Sequence, residues 1–225
     1  MLNLAEAIVE MRRDEVLQEV ERRAKQGDNP VEIINECREG MVVIGDRFAA
    51  GDYFLAELLM SGEIFKEAAA LLDPYAKAKS DGDEIDRGLV VMATPKGDIH
   101  DLGKNIVVMM LKAYGFKVHD LGVDVAPRVI VDKVAELRPQ FVGLSALLTT
   151  GLGSCKEVAD LMAAEGLREN CRIIIGGGVT TATAKTHIGA DFQTLDVMEG
   201  IEYCLRVGAE FAELGSPVEE HSHGE

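Results

Sequence analysis

A carboxylate and an imidazole stand two residues apart in "PKGDIHDLGKNIV" (95–107), as Asp98 and His100, with Gly97 and Gly103 on either side. The pairing has a specific use. An aspartate that takes the proton on one imidazole nitrogen leaves the other free to ligate a metal and raises its basicity. The two glycines allow backbone geometries closed to other residues and would let the loop turn His100 outward. A merely structural Asp–His pair in a loop is the alternative reading.

Two other stretches could meet a ligand. "VGLSALLTTGL" (142–152) places the small residues Ser145 and Ala146, followed by Leu147, where a larger side chain would fill a cleft; a small-residue strand packed under a helix is the alternative. "IIIGGGVTTATAK" (173–185) carries Gly176, Gly177 and Gly178 in succession, which would admit a planar or phosphorylated group close to the backbone. A tight turn also explains them. Neither this run nor "GLGS" (151–154) has the spacing of a dinucleotide fingerprint.

The elements around these motifs fall into two regions. Residues 1 to about 75 repeat apolar side chains at helical spacing: Leu4, Ile8, Met11, Val16 and Val20, then Val31, Ile34, Met41, Ile44 and Phe48, then Phe54, Leu58, Leu59, Ile64, Phe65 and Ala69. Breaks at "KQGDNP" and "AAGDY" divide them into a bundle of about four helices. The polar run "DPYAKAKSDGDEIDRG" (73–88) suits a linker. Beyond it, short apolar strands at 89–93, 116–119, 140–145, 172–176 and 191–194 alternate with helices at 104–114, 127–138, 152–165, 181–188 and 197–213. That rhythm predicts an α/β chain in which a helical cap (1–85) precedes a flavodoxin-like, Rossmann-type domain with a five-stranded parallel sheet (86–215), with a polar tail (216–225). All three motifs then follow strands of one sheet, at the carboxyl edge where such folds bind ligands.

Composition narrows the function further. The chain has 225 residues, 47% of them apolar, enough for a packed core. A formal net charge of −16 opposes nucleic acid or an anionic membrane as partner. Cys37, Cys155, Cys171 and Cys204 are scattered, as free thiols of a reducing compartment are. The N-terminus lacks the pattern of a signal peptide, and no apolar run approaches the roughly 20 residues that span a bilayer. A cytoplasmic protein is expected. His119, His187, His221 and His223 read as structural, exposed or tail residues.

At this point the sequence resembles the corrinoid (vitamin B12) binding proteins of methyl-transfer systems, a family that includes the cobalamin module of methionine synthase. Asp98-x-His100-x-x-Gly103, then 41 residues, Ser145-Ala146-Leu147, then 28 residues, Gly176-Gly177 reproduces that family's D-x-H-x-x-G, S-x-L and G-G signature and its spacing. "GDYFLAELLMSGEIFKEAAALLDP" (51–74) resembles the family's helical cap. The resemblance implies a corrinoid cofactor of the methylcobalamin/cob(I)alamin type, with His100 as the lower cobalt ligand and Asp98 as its hydrogen-bond partner. It implies that Gly103, Ser145, Leu147, Gly176 and Gly177 contact the cofactor, the last four lining the slot for its displaced nucleotide tail.

It also implies a methyl-carrying subunit rather than a complete enzyme. The partners would be a substrate-specific methyltransferase, an acceptor methyltransferase serving tetrahydrofolate or a thiol, and a reductive activating protein. Phe54 is placed nearest the upper face of the cobalt by the same analogy, or is an ordinary bundle-core residue. One departure stands out: Gly151 occupies the place of the serine that completes an Asp–His–Ser relay in methionine synthase. Either the relay ends at Asp98, or water or Thr150 substitutes. A B12-responsive regulator and a flavodoxin-like nucleotide binder are the rival readings.

Overall fold

The computed structural model describes residues 2–76 and 87–215. Most of the expected linker, with the expected boundary at 85/86, lies outside the described residues, as does the polar tail from 216 onward.

Four helices form the N-terminal unit: α1 (Leu4–Val9), α2 (Arg13–Gln26), α3 (Pro30–Ala49) and α4 (Leu55–Ala76). Local chemistry starts and stops them. The Asn3 side chain accepts from the Glu6 N–H at the start of α1. Asn29 does the same for Val31 ahead of α3, where Pro30 occupies the first turn and gives up no needed donor. The inward stripe of α3 differs from the expected one. Ile33, Cys37, Gly40, Met41 and Ile44 are buried there, while Val31 and Ile34 are half-buried, because small residues let α1 approach closely. Helix α4 continues through Pro74 to Ala76, past the start of the expected linker. Leu72 is buried and Tyr75 packs on the core, and this packing carries the last turn past the proline.

The C-terminal unit runs β1 (Leu89–Ala93), α5 (Leu102–Ala113), β2 (Lys117–Asp120), α6 (Pro127–Leu137), β3 (Phe141–Ser145), α7 (Thr149–Ala164), β4 (Arg172–Gly176), α8 (Ala182–Ile188), β5 (Phe192–Thr194) and α9 (Val197–Gly215). The strands pair in parallel in the order β2-β1-β3-β4-β5, the flavodoxin-like arrangement. Alternation along the strands sorts the sheet's two faces. Ala93, Val142, Leu144, Ile173 and Ile175 pack against α6, α7 and α8. Val90, Met92 and Phe141 join α5, α9 and the helical unit in a second core that runs through both halves of the chain.

Element boundaries shift from expectation by one to three residues, and three of the shifts bear on the site. Strand β2 begins at Lys117, because Phe116 turns inward and meets the ring of Phe141 edge-on at 6.2 Å. Helix α5 begins at Leu102, so Gly103 is helical. Helix α7 begins at Thr149, which makes "GLGS" part of a helix.

Glycines set the closest approaches in the helical unit. A methyl group on Gly40 would lie 2.7 Å from the backbone oxygen of Ala5, whereas one on Gly62 would overlap the thioether of Met109 on α5, a flexible neighbour. Gly40→Ala should therefore lower the urea midpoint, since overpacking against backbone costs about 1–3 kcal/mol against a gain of about 1 kcal/mol in helix propensity. Gly62→Ala should leave the midpoint unchanged or raise it. Equal midpoints for the two variants would show that the seam between α1 and α3 relaxes freely.

Candidate functional site

The topology brings the loop after β1 and the loop after β3 together at the switch point of the sheet. Their meeting is held by one side chain. Asp98 is fully buried, and its two carboxylate oxygens accept four hydrogen bonds. Oδ2 takes the backbone N–H groups of Leu147 (2.6 Å) and Leu148 (2.8 Å) from the loop after β3. Oδ1 takes the backbone N–H of His100 (3.0 Å) and faces His100 Nδ1 at 2.9 Å. Burial pushes the carboxyl up, but these hydrogen bonds outweigh it and hold the group at about 2. Asp98 is thus ionised at neutral pH and can only accept. His100 Nδ1 therefore carries a proton, and in the neutral ring the lone pair falls to Nε2 of a side chain that is half exposed.

The rest of the loop is strapped in place. Lys96 N–H donates to Val125 O (2.8 Å), Gly97 N–H to Asp124 Oδ1 (2.8 Å), and Asp124 N–H to Asp98 O (3.0 Å). From α7, Thr150 Oγ1 donates to Gly97 O (2.9 Å) and Ser154 Oγ to Lys96 O (3.0 Å). Gly97 has φ of +89°, the left-handed geometry that its position anticipated. Gly103 does not, since it lies in α5 with open space where a side chain would stand.

Beside this edge a cavity of about 500 Å3 opens between α5 and α9 over one face of the sheet. Gly103, Ser145, Gly176 and Gly177 line it. Leu147 stands outside, its side chain partly exposed, and touches the site through its N–H to Asp98. Asp98 and His100 lie outside the cavity on the same sheet edge. Gly177, with φ of +102°, has no room for a side chain, because Ala146's backbone oxygen occupies that space. Phe54 is 71% exposed, so it is no bundle-core residue; its neighbours Leu55 and Leu58 line the cavity with Phe48. His119 lies exposed on the edge strand β2, and His187 near the end of α8.

Two features of the site had no clear signal in the sequence, and a third, the end of the Asp98 relay, is left open by it. The two N–H donors on Asp98 Oδ2 come from the backbone, which sequence does not label. A methyl on Gly151 would sit 3.7 Å from that same oxygen, but the glycine has no hydroxyl to offer, and the Thr150 hydroxyl is engaged by Gly97 O. Lys104 is 2% exposed and lines the cavity, its ammonium bound to Asp120 Oδ2 (2.5 Å) and Asn105 Oδ1 (2.8 Å).

The donor set suits a corrinoid. Among the described residues no group of three or more His, Cys, Asp or Glu side chains could hold a metal ion. A metal ligated by His100 would have to bring its remaining ligands with it, as the cobalt of a macrocycle does. The cavity adjoining the ligand loop, lined by strand-end glycines, suits a tail carried by that macrocycle. No helix is long and apolar enough to cross a membrane among the described residues.

Comparison with known proteins bears on the family and the fold. Residues 88–200 match the B12 binding domain family, and residues 3–73 match a second family described as a B12 binding domain. The chain is 37% identical over 199 residues to dimethylamine corrinoid protein 1 of Methanosarcina mazei, covering 88% of this chain and 91% of that one. A cobalamin-binding protein from Desulfitobacterium hafniense DCB-2 superposes with a TM-score of 0.71 at 36% identity, covering 92% of this chain and 98% of that one. The methanol:cobalamin methyltransferase complex MtaBC from Methanosarcina barkeri holds a chain that matches with a TM-score of 0.80 at 27% identity, covering 92% of this chain and 78% of that one. The chain belongs to the family of B12-binding proteins.

Proposed function

We propose that this chain carries a methyl group on the cobalt of a bound corrinoid, receiving it from one methyltransferase and yielding it to another. The observation that carries the reading is the Asp98–His100 pair, whose free nitrogen is presented at the sheet edge beside the cavity. Kinship supports it, because one relative is named as a dimethylamine corrinoid protein and another belongs to a methanol:cobalamin methyltransferase complex. Those two names differ in the methyl donor, so the donor is chosen by the partner methyltransferase. A reductive activating protein completes the proposed set of partners.

The bound corrinoid supplies a cobalt centre able to accept and release a methyl group, chemistry that no side chain offers. The protein's residues do the holding and tuning. His100 would hold the cobalt through Nε2. Asp98 fixes the imidazole tautomer and, by its charge, raises the basicity of that nitrogen. Ser145, Gly176 and Gly177 form the mouth that admits the nucleotide tail, and Gly103 leaves space on the wall opposite. Residues 1 to about 85 would act as the cap that keeps water from the reactive face, and Leu55 and Leu58 bring that unit's apolar side chains to the cavity.

Two substitutions test these roles. His100→Ala should fold as the parent does, since a half-exposed loop side chain contributes little to the core. Its corrinoid in the Co(II) form should lose the axial-nitrogen coupling seen by electron paramagnetic resonance. A retained histidine coupling would assign the ligand elsewhere, and parent protein that binds no corrinoid would end the reading altogether.

Asp98→Asn should weaken that coupling without abolishing it. The variant also turns an amide N–H toward at least one of the donors that Asp98 accepts, which costs about 1–3 kcal/mol at pH 7. The carboxyl's low value in the fold stabilises the parent above an unfolded-state value of about 3.9, a contribution lost as pH falls toward about 2. The stability gap between parent and variant should therefore shrink between about pH 4 and pH 2. A gap independent of pH would remove the charge of Asp98 from the argument.

A further inference from the structure

We infer that Thr94 is a positioning residue for the metal ligand: its hydroxyl holds the main chain of His100, as Asp98 holds the ring. The inference rests on the proposed function, which makes His100 the cobalt ligand, and adds to it a partner outside the Asp–His pair.

Little packing fixes the imidazole. Its side chain is half exposed, and its neighbours Ile99 and Leu102 are exposed as well, so hydrogen bonds set its direction. Asp98 Oδ1 supplies two of them, to the ring Nδ1 (2.9 Å) and to the His100 N–H (3.0 Å). Those bonds hold the ring and the peptide ahead of the Cα. They leave the following peptide free to swing, and the Cα–Cβ bond turns when it does.

Thr94 holds that second peptide. Its Oγ1 donates to the His100 carbonyl oxygen at 3.1 Å. With a peptide tethered on each side of the Cα, both soft backbone torsions of His100 are constrained. The direction in which the side chain leaves the loop is then set before any ligand binds.

The anchor is itself well fixed. Thr94 is 1% exposed and directly follows β1. Its N–H donates to Gly122 O (2.9 Å), and its carbonyl accepts from Val125 N–H (3.0 Å), both in the loop after β2. Pro95 comes next and favours extended backbone at Thr94, while branching at Cβ limits the rotamers of the hydroxyl. His100 is thus held from both neighbours of β1. Thr94 ties it to the β2 side, and Asp98, through the N–H groups of Leu147 and Leu148, ties it to the β3 side.

Ligation requires the loop geometry that turns Nε2 outward. Without the Thr94 hydroxyl a smaller fraction of the protein holds that geometry, and apparent affinity for a ligated corrinoid falls by the same fraction. The net worth of one neutral hydrogen bond makes the loss about fivefold.

The test is a double-mutant cycle on the full-length protein, with cobalamin affinity measured by equilibrium binding. Thr94→Val keeps the shape and removes the hydroxyl. It should weaken binding about fivefold in the parent and leave affinity nearly unchanged in His100→Ala, where the carbonyl remains but there is no imidazole to aim. Should Thr94→Val fold poorly, Thr94→Ser and Thr94→Ala take its place, since that pair differs in the hydroxyl alone. Should His100→Ala bind too weakly for the cycle, the electron paramagnetic resonance of the Co(II) form decides. The axial-nitrogen coupling should spread or weaken in Thr94→Val and match the parent in Thr94→Ser.

An equal loss of affinity with and without the imidazole would make Thr94 a purely structural residue and overturn the inference. So would a parent-like spectrum in Thr94→Val, or the same perturbed spectrum in Thr94→Ser. A parent without axial-nitrogen coupling, or one that binds no corrinoid, would instead overturn the proposed function beneath it.

Discussion

An ionised carboxylate with no exposure to water persists in a fold only when hydrogen bonds replace its hydration. Asp98 meets that condition with donors from two separate loops, and the requirement organises the site. Two N–H groups from the loop after β3 fix one oxygen, and the backbone and ring of His100 fix the other. The loops after β1 and β3 are neighbours because their strands pair, and they part to opposite faces because α5 and α7 do. The carboxylate therefore pins the switch point of the sheet and the tautomer of the imidazole together. Any change that loosens one disturbs the other.

The same divergence of loops creates the cavity. Helices α5 and α9 share one face of the sheet, and the space between them is floored by Gly143 and Ile174 and opened at the top by Gly176 and Gly177. Glycine works differently at each place. Gly177 answers a backbone clash with Ala146, Gly143 makes room for Met92, and Gly103 leaves open space. The helical unit closes against this assembly through a shared core, with Gly45 meeting the Tyr114 hydroxyl and Gly62 meeting Met109. A cap that moves must exchange those contacts, so its motion is coupled to α5, the helix that follows the His100 loop.

Much of this was legible in the residues. Strand runs such as "LVVMA" and "RIIIG" are apolar on both faces and short, which a covered parallel sheet demands. The Asp98–His100 spacing and the strand-end glycines pointed to one sheet edge, and the structure gathers them there. What escaped was carried by groups that sequence does not label. The donors to Asp98 are backbone N–H groups of leucines. The inward side of α3 is set by Cys37 and Gly40 as much as by its large residues. Helix α4 runs through Pro74, because Leu72 and Tyr75 pack in tertiary contacts that local propensity does not contain. Leu147 is expected to line the slot, yet it stands outside the cavity and meets Asp98 through its main chain.

The surroundings of His100 show how the site divides its work. Ile99 and Leu102 flank it with 71% and 59% of their surface exposed, and Leu147, Leu148 and Leu195 are exposed on the same sheet edge. A cluster of exposed large apolar side chains is costly for a chain in water unless something covers it. A macrocycle held by His100 would cover it. The polar demands of the site are met beneath that surface, at Asp98, and at the mouth of the slot, around Ser145. Under the proposed function the residues of this arrangement address the cofactor, and recognition of a methyl donor would fall to a partner protein.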